Sequence, residues 1–110
     1  MEQVLLVMTN VPDAACGEAI ARYLLEHKLA ACVNCLAGVK SFYRWQGAIE
    51  EASEVSLLIK TSAPRYHELQ DAIKSLHPYQ VPEIIAFTVA EGWQPYLGWI
   101  VEETKKEMHV

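Results

Sequence analysis

The sequence predicts one α+β domain, an antiparallel sheet with helices packed on it and a further helix near the C-terminus. Three observations predict it. Short apolar runs suited to strands alternate with stretches whose apolar residues recur every three or four positions, as helices require. Two strand-like runs meet at Gln46-Gly47, a turn dipeptide, so they read as a hairpin. A chain of 110 residues is long enough for one core and too short for two, so residues 1–110 read as a single domain.

Residues 3–11 (QVLLVMTNV) are a near-continuous apolar run, the pattern of a buried strand. Pro12 follows, and Asp13 is placed to cap a helix over residues 14–28. Cys16, Ile20, Tyr23, Leu24 and His27 recur on one face of it, and Leu29 closes the segment. Residues 31–45 (ACVNCLAGVKSFYRW) read as extended, with Gly38 as a bulge or bend. Residues 48–61 (AIEEASEVSLLIKT) return as the second arm, and Val55, Leu57 and Ile59 alternate onto one face. Ser62 and Pro64 open a second helix, because proline is tolerated in a first turn. Tyr66, Leu69, Ile73 and Leu76 form its apolar stripe, and Pro78 ends it. The following loop, 77–82, is stiff for its length because two prolines fix two φ angles. Residues 83–90 (EIIAFTVA) read as the last strand, broken by Gly92. Pro95 starts a third helix with Leu97, Ile100, Val101 and Thr104 on one face, and the polar tail 105–110 is expected to fray. The order β-α-β-β-α-β plus a helix is the ferredoxin-like pattern, an antiparallel sheet with helices on one side. Many functions use that fold, so function must be read from sites.

Composition removes several classes of function. Nine basic residues against fourteen acidic leave a net charge of −5, which argues against a nucleic-acid or anionic-lipid partner. An RNA-binding sheet of this fold stacks bases on strand aromatics, and residues 54–60 hold none. The longest apolar runs are about five residues where a membrane span needs about 20. The N-terminal run is too short for a signal peptide and follows Glu2, so the expected location is the cytoplasm. Three cysteines, an odd number, do not suggest a disulfide framework.

Catalytic chemistry finds little support. Cys32 and Cys35 lie three apart in an extended segment and so point to opposite faces, and no second Cys-x-x-Cys completes a zinc site; buried structural thiols are the simpler reading. No serine sits in a nucleophile-elbow motif, and no glycine-rich loop is present to cradle phosphate. Glu50, Glu51 and Glu54 read as a solvated strand end. His27 and His67 lie in helices and His109 in the tail, none at metal-site spacing. His77 differs, held between a helix end and a Pro-Tyr loop. It is either a C-terminal histidine facing the helix dipole or a metal ligand on a rigid loop, and spacing leans to the former. Aromatic residues crowd two places, Phe42, Tyr43 and Trp45 on the hairpin and Trp93, Tyr96 and Trp99 around the last helix. Either that helix covers the rings within one chain or they form an oligomer interface, the reading that aromatic clusters favour.

Four runs together are distinctive: Leu29-Ala30-Ala31-Cys32-Val33-Asn34, Ser41-Phe42-Tyr43-Arg44-Trp45-Gln46-Gly47, Leu58-Ile59-Lys60-Thr61 and His77-Pro78-Tyr79-Gln80-Val81-Pro82-Glu83-Ile84. In this order and spacing the chain resembles the CutA family of divalent-cation tolerance proteins, over nearly its whole length. The resemblance implies a ferredoxin-like fold, a homotrimer like that of the PII signalling proteins with the hairpin arms at its interfaces, and a role in metal-ion response without enzymatic activity. It implies copper or another divalent metal ion as ligand. In some members a cysteine at the end of the first strand and two histidines before Pro-Tyr hold the metal. Here His77 matches the second histidine, while Leu76 replaces the first and Met8 the cysteine; a thioether suits Cu(I) better than a hard divalent ion. The family segments also contain Tyr43, Trp45, Lys60, Tyr79 and Glu83, a combination of cation, carboxylate and aromatic walls that fits either a small-molecule cleft of a PII-like signalling protein or interface packing with one ion pair.

Overall fold

The computed structural model describes residues 2–106, so His109 and residues 107–110 of the polar tail lie outside it. The elements are β1 (Val4–Val11), α1 (Ala14–Glu26), β2 (Cys32–Trp45), β3 (Ala48–Ser62), α2 (Tyr66–Leu76, entered through a 3-10 turn at Ala63–Arg65), β4 (Ile85–Thr88) and α3 (Gln94–Glu103). The strands form one antiparallel sheet in the order β2-β3-β1-β4, which is the ferredoxin-like topology expected from the element order.

Alternation builds the core. Val7, Thr9 and Val11 of β1 pair in register with Ile59, Leu57 and Val55 of β3, and all six point to one face. Ile20 and Leu24 of α1 and Leu69, Ala72 and Ile73 of α2 cover that face. Each fully buried Leu or Ile stabilises the fold by about 1.5–3 kcal/mol. The hydroxyl of Thr9 is buried there with no hydrogen-bond partner among the described residues, a local cost to the packing.

Asp13 caps α1 as expected, its Oδ1 accepting from the Cys16 N–H at 2.8 Å. The buried face of α1 is Gly17, Ile20, Ala21 and Leu24, turned from the stripe read in the sequence. Small residues let the helix approach the sheet closely, so the bulky Tyr23 and His27 are left at the surface, where their rings stack 3.9 Å apart. On α2, Ala72 joins the buried stripe and Leu76 at the helix end is exposed. The buried Arg65 ties the two helices together, donating from Nε to the Lys28 carbonyl and from Nη2 to that of His27 just past the end of α1.

β4 is shorter than residues 83–90. It is an edge strand, hydrogen-bonded to β1 alone, and Pro82 lacks an N–H with which to extend it backwards. Beyond it the pairing continues through the Val89 N–H, 3.0 Å from the Val4 carbonyl. The third helix does not join the other two. Tyr96 lies beside Cys32, and Thr104 shares a 2.7 Å hydrogen bond with Ser62. Cys32 pairs with Lys60, and by alternation Lys60 and Ser62 face away from the Val55-Leu57-Ile59 core. So α1 and α2 cover one face and α3 lies across the other.

Candidate functional site

The site begins with a mismatch of strand lengths. β1 ends at Val11, opposite Val55, so the hairpin segment 39–54 projects beyond it without a third strand. Gln46 and Gly47 turn the hairpin with φ of 50° and 83°, the positive pair that a two-residue I′ turn needs. Lower down, Leu36 pairs with Ser56 but Val39 with Glu54, so β2 carries one extra residue there. Gly38, at φ 79°, makes this bulge. The bulge reverses the alternation of β2. Tyr43 and Trp45 thereby come to the same face as Glu54, away from the helices that pack on Val55.

The loop after α2 closes the opposite side. His77 is 8% exposed, and its ring pins the loop to the end of β1. Nε2 lies 2.7 Å from the Asn10 carbonyl and Nδ1 accepts from the Tyr79 N–H at 3.2 Å. A carbonyl only accepts and an amide N–H only donates, so the proton sits on Nε2 and both ring nitrogens are engaged. The Tyr79 hydroxyl donates to Glu54 Oε2 at 2.9 Å. Burial first, then the hydrogen bond to Glu54 and its charge, push the Tyr79 phenol up to about 12, so it remains a donor at neutral pH. Between arm and loop lies a cleft of about 830 Å³ whose lining includes Tyr43, Trp45, Glu54, Tyr79, Glu83 and Arg44.

Of the residues singled out in the sequence, Tyr43, Trp45, Tyr79 and Glu83 therefore meet at one cleft. Lys60 is elsewhere, near the base of the hairpin, where its ammonium donates to Asn34 Oδ1 and lies 3.7 Å from Cys32 Sγ. Met8 is on β1 between Leu58 and Ile85, on the face away from the α1–α2 core. Among the described residues no three His, Cys, Asp or Glu side chains gather closely enough to hold a metal ion, and the three cysteines are free thiols. Glu54 corrects the sequence reading. Glu50 and Glu51 are exposed, and Glu51 pairs with Lys40 at 2.7 Å, but Glu54 is 8% exposed and forms part of the cleft wall. No local signal marks it, because Tyr79, the residue that engages it, comes from a distant loop.

The architecture has close relatives. A family model described as CutA1 divalent ion tolerance protein matches residues 5–103. The chain belongs to this family. A divalent-cation tolerance protein CutA of Thermus thermophilus is 46% identical over 104 residues, covering 94% of this chain and 99% of the relative. The CutA1 structure from that organism superposes with a TM-score of 0.91 at 44% identity, covering 93% of this chain and 99% of the other. A CutA structure from Archaeoglobus fulgidus, described as periplasmic, has a TM-score of 0.90 at 37% identity, covering 93% and 99%. No helix among the described residues is long and apolar enough to cross a membrane.

Proposed function

We propose that this CutA-family chain is a cytoplasmic, non-catalytic binding protein that works as a homotrimer in the response to divalent cations, with its ligand seated in the cleft between the hairpin arm and the 77–83 loop. The single observation behind this reading is that a buried carboxylate, four aromatic rings and a stiff, hydrogen-bonded loop converge on one concavity of about 830 Å³. Pockets of that size lined by aromatics and a few fixed polar groups are where small molecules bind. In a homotrimer the projecting arms would border the neighbouring subunits. The exposed rings of Phe42, Phe87, Trp93 and Trp99 support such contacts. Light scattering on a sizing column should give three times the chain mass of 12.4 kDa. A monomer across the micromolar range would remove the trimer.

Copper held by His77, with Met8 as a soft second donor, is the narrower metal reading. The family's name favours it. The hydrogen bonds of His77 oppose it, because Nδ1 must give up the Tyr79 N–H before it can offer a lone pair. A competitive titration with Cu(I) and Cu(II), wild type beside His77→Ala and with thiols reduced, separates the two. We expect weak binding that the substitution changes by less than about threefold, since a single constrained imidazole makes a poor site. Stoichiometric tight binding lost in the variant would make the metal site primary.

A further inference from the structure

We infer that this cleft takes an organic cation, an ammonium or guanidinium group carried on an apolar body. The inference rests on the reading of the cleft as a small-molecule site and names its ligand class. The inner wall holds Glu54, 8% exposed. Among the described residues its one hydrogen-bond partner is the Tyr79 hydroxyl, on Oε2, and no lysine, arginine or histidine forms an ion pair with it. The nearby Glu51 differs, being exposed and matched by Lys40. A carboxylate taken out of water is ordinarily matched by a cation or by several donors. Here one neutral donor serves it, and the rest of its hydrogen-bonding capacity is available to an occupant of the cleft.

The walls suit the same ligand. Tyr43, Trp45 and Tyr79 line the cleft, and aromatic faces attract ammonium and guanidinium groups through the ring quadrupole. Glu83 contributes a second carboxylate, exposed to solvent. Among the described residues Arg44 is the one basic residue in the lining, and it belongs to the strand face of Phe42, opposite that of Tyr43 and Trp45. An anion would have to approach Arg44 while avoiding both carboxylates, whereas a cation meets Glu54 at the wall and rings beside it.

A matched trio of probes tests this: benzylammonium, benzyl alcohol and benzoate, which share a ring and differ in charge. Binding to the full-length protein is followed at neutral pH by calorimetry and by the NMR shift of the Trp45 indole N–H. Benzylammonium should bind about tenfold or more tightly than benzyl alcohol, as a charge-assisted hydrogen bond with ring contacts implies, and benzoate more weakly than either. Glu54→Gln should bring benzylammonium level with benzyl alcohol while still accepting from Tyr79. If that variant does not fold, Trp45→Leu on the exposed arm, read by calorimetry, should weaken benzylammonium more than benzyl alcohol. Equal binding of the three probes, with Trp45 shifted by each, overturns the cation and leaves the small-molecule cleft standing. Preference for benzoate overturns it in favour of Arg44. No probe moving Trp45 removes cleft and cation together.

Discussion

Leu57→Ala should destabilise the protein by about 3–4 kcal/mol, in the range of large-to-small changes at sites that cannot collapse. Leu57 is fully buried at the centre of β3, paired with Thr9 on one side and Cys35 on the other. Two ladders hold its backbone in place, so the sheet cannot move inward to fill the space. The helix above is held just as closely. A Cβ placed on Gly17 would lie 3.2 Å from Leu57 Cδ2 and 3.3 Å from Val11 Cγ2. In the wild type, therefore, Gly17→Ala gains helix propensity of about 1 kcal/mol but loses a comparable amount to crowding. With Leu57 shortened the closer of the two contacts goes, that with Val11 stays, and the methyl occupies part of the cavity. The double variant should be more stable than the sum of the single effects by about 1 kcal/mol, the scale of coupling between residues in contact. Urea denaturation of all four proteins at one chain concentration measures this, since an oligomer's stability depends on concentration. Strict additivity would mean that the Gly17 methyl and the Leu57 side chain do not compete for the same space.

The elements were legible because each carries its own local signal. Asp13 announced a helix start, Gln46-Gly47 a hairpin turn, Pro95 another helix, and the Val55-Leu57-Ile59 alternation a buried strand face; all four stand in the structure. What escaped depends on contacts between distant segments. Gly38 could be read as a bulge, but the consequence, that Tyr43 and Trp45 come to the same side as Cys32 and Asn34, follows only from the register with β3. The side of the sheet taken by α3 is decided by Thr104 meeting Ser62 and Tyr96 meeting Cys32, pairs separated widely in the chain. The aromatic members of the cleft could be named because their segments resemble a family. Glu54 could not, since a glutamate in a run of acidic residues looks solvated until a tyrosine from residue 79 reaches it. Conversely, Lys60 shares the family segments yet sits with Cys32 and Asn34, a placement set by strand register and not by sequence proximity.

His77→Ala should cost about 2–3 kcal/mol, because it removes two hydrogen bonds from a buried ring and strands both partners. The Asn10 carbonyl loses its donor and the Tyr79 N–H loses its acceptor. The ring contact with Tyr79, at 4.8 Å between centroids, goes as well. The loss should be local in its first consequence. Tyr79 is anchored at its backbone by His77 and at its hydroxyl by Glu54, so releasing the former loosens the loop side of the cleft while β2 and β3 keep their register. Hydrogen exchange should therefore accelerate about tenfold or more at the Tyr79 amide, matching the loss of a hydrogen bond worth about 1.5 kcal/mol, and should stay near wild type in the paired hairpin amides beside Glu54 when both are compared below the unfolding transition. His77→Gln offers an amide that can donate to the Asn10 carbonyl but is poorly placed to accept from Tyr79, so it should recover part of the stability and little of the loop protection. A histidine whose purpose is to bind metal predicts the reverse pattern. Its removal would leave the metal-free protein as stable as before and abolish only the stabilisation gained on adding copper.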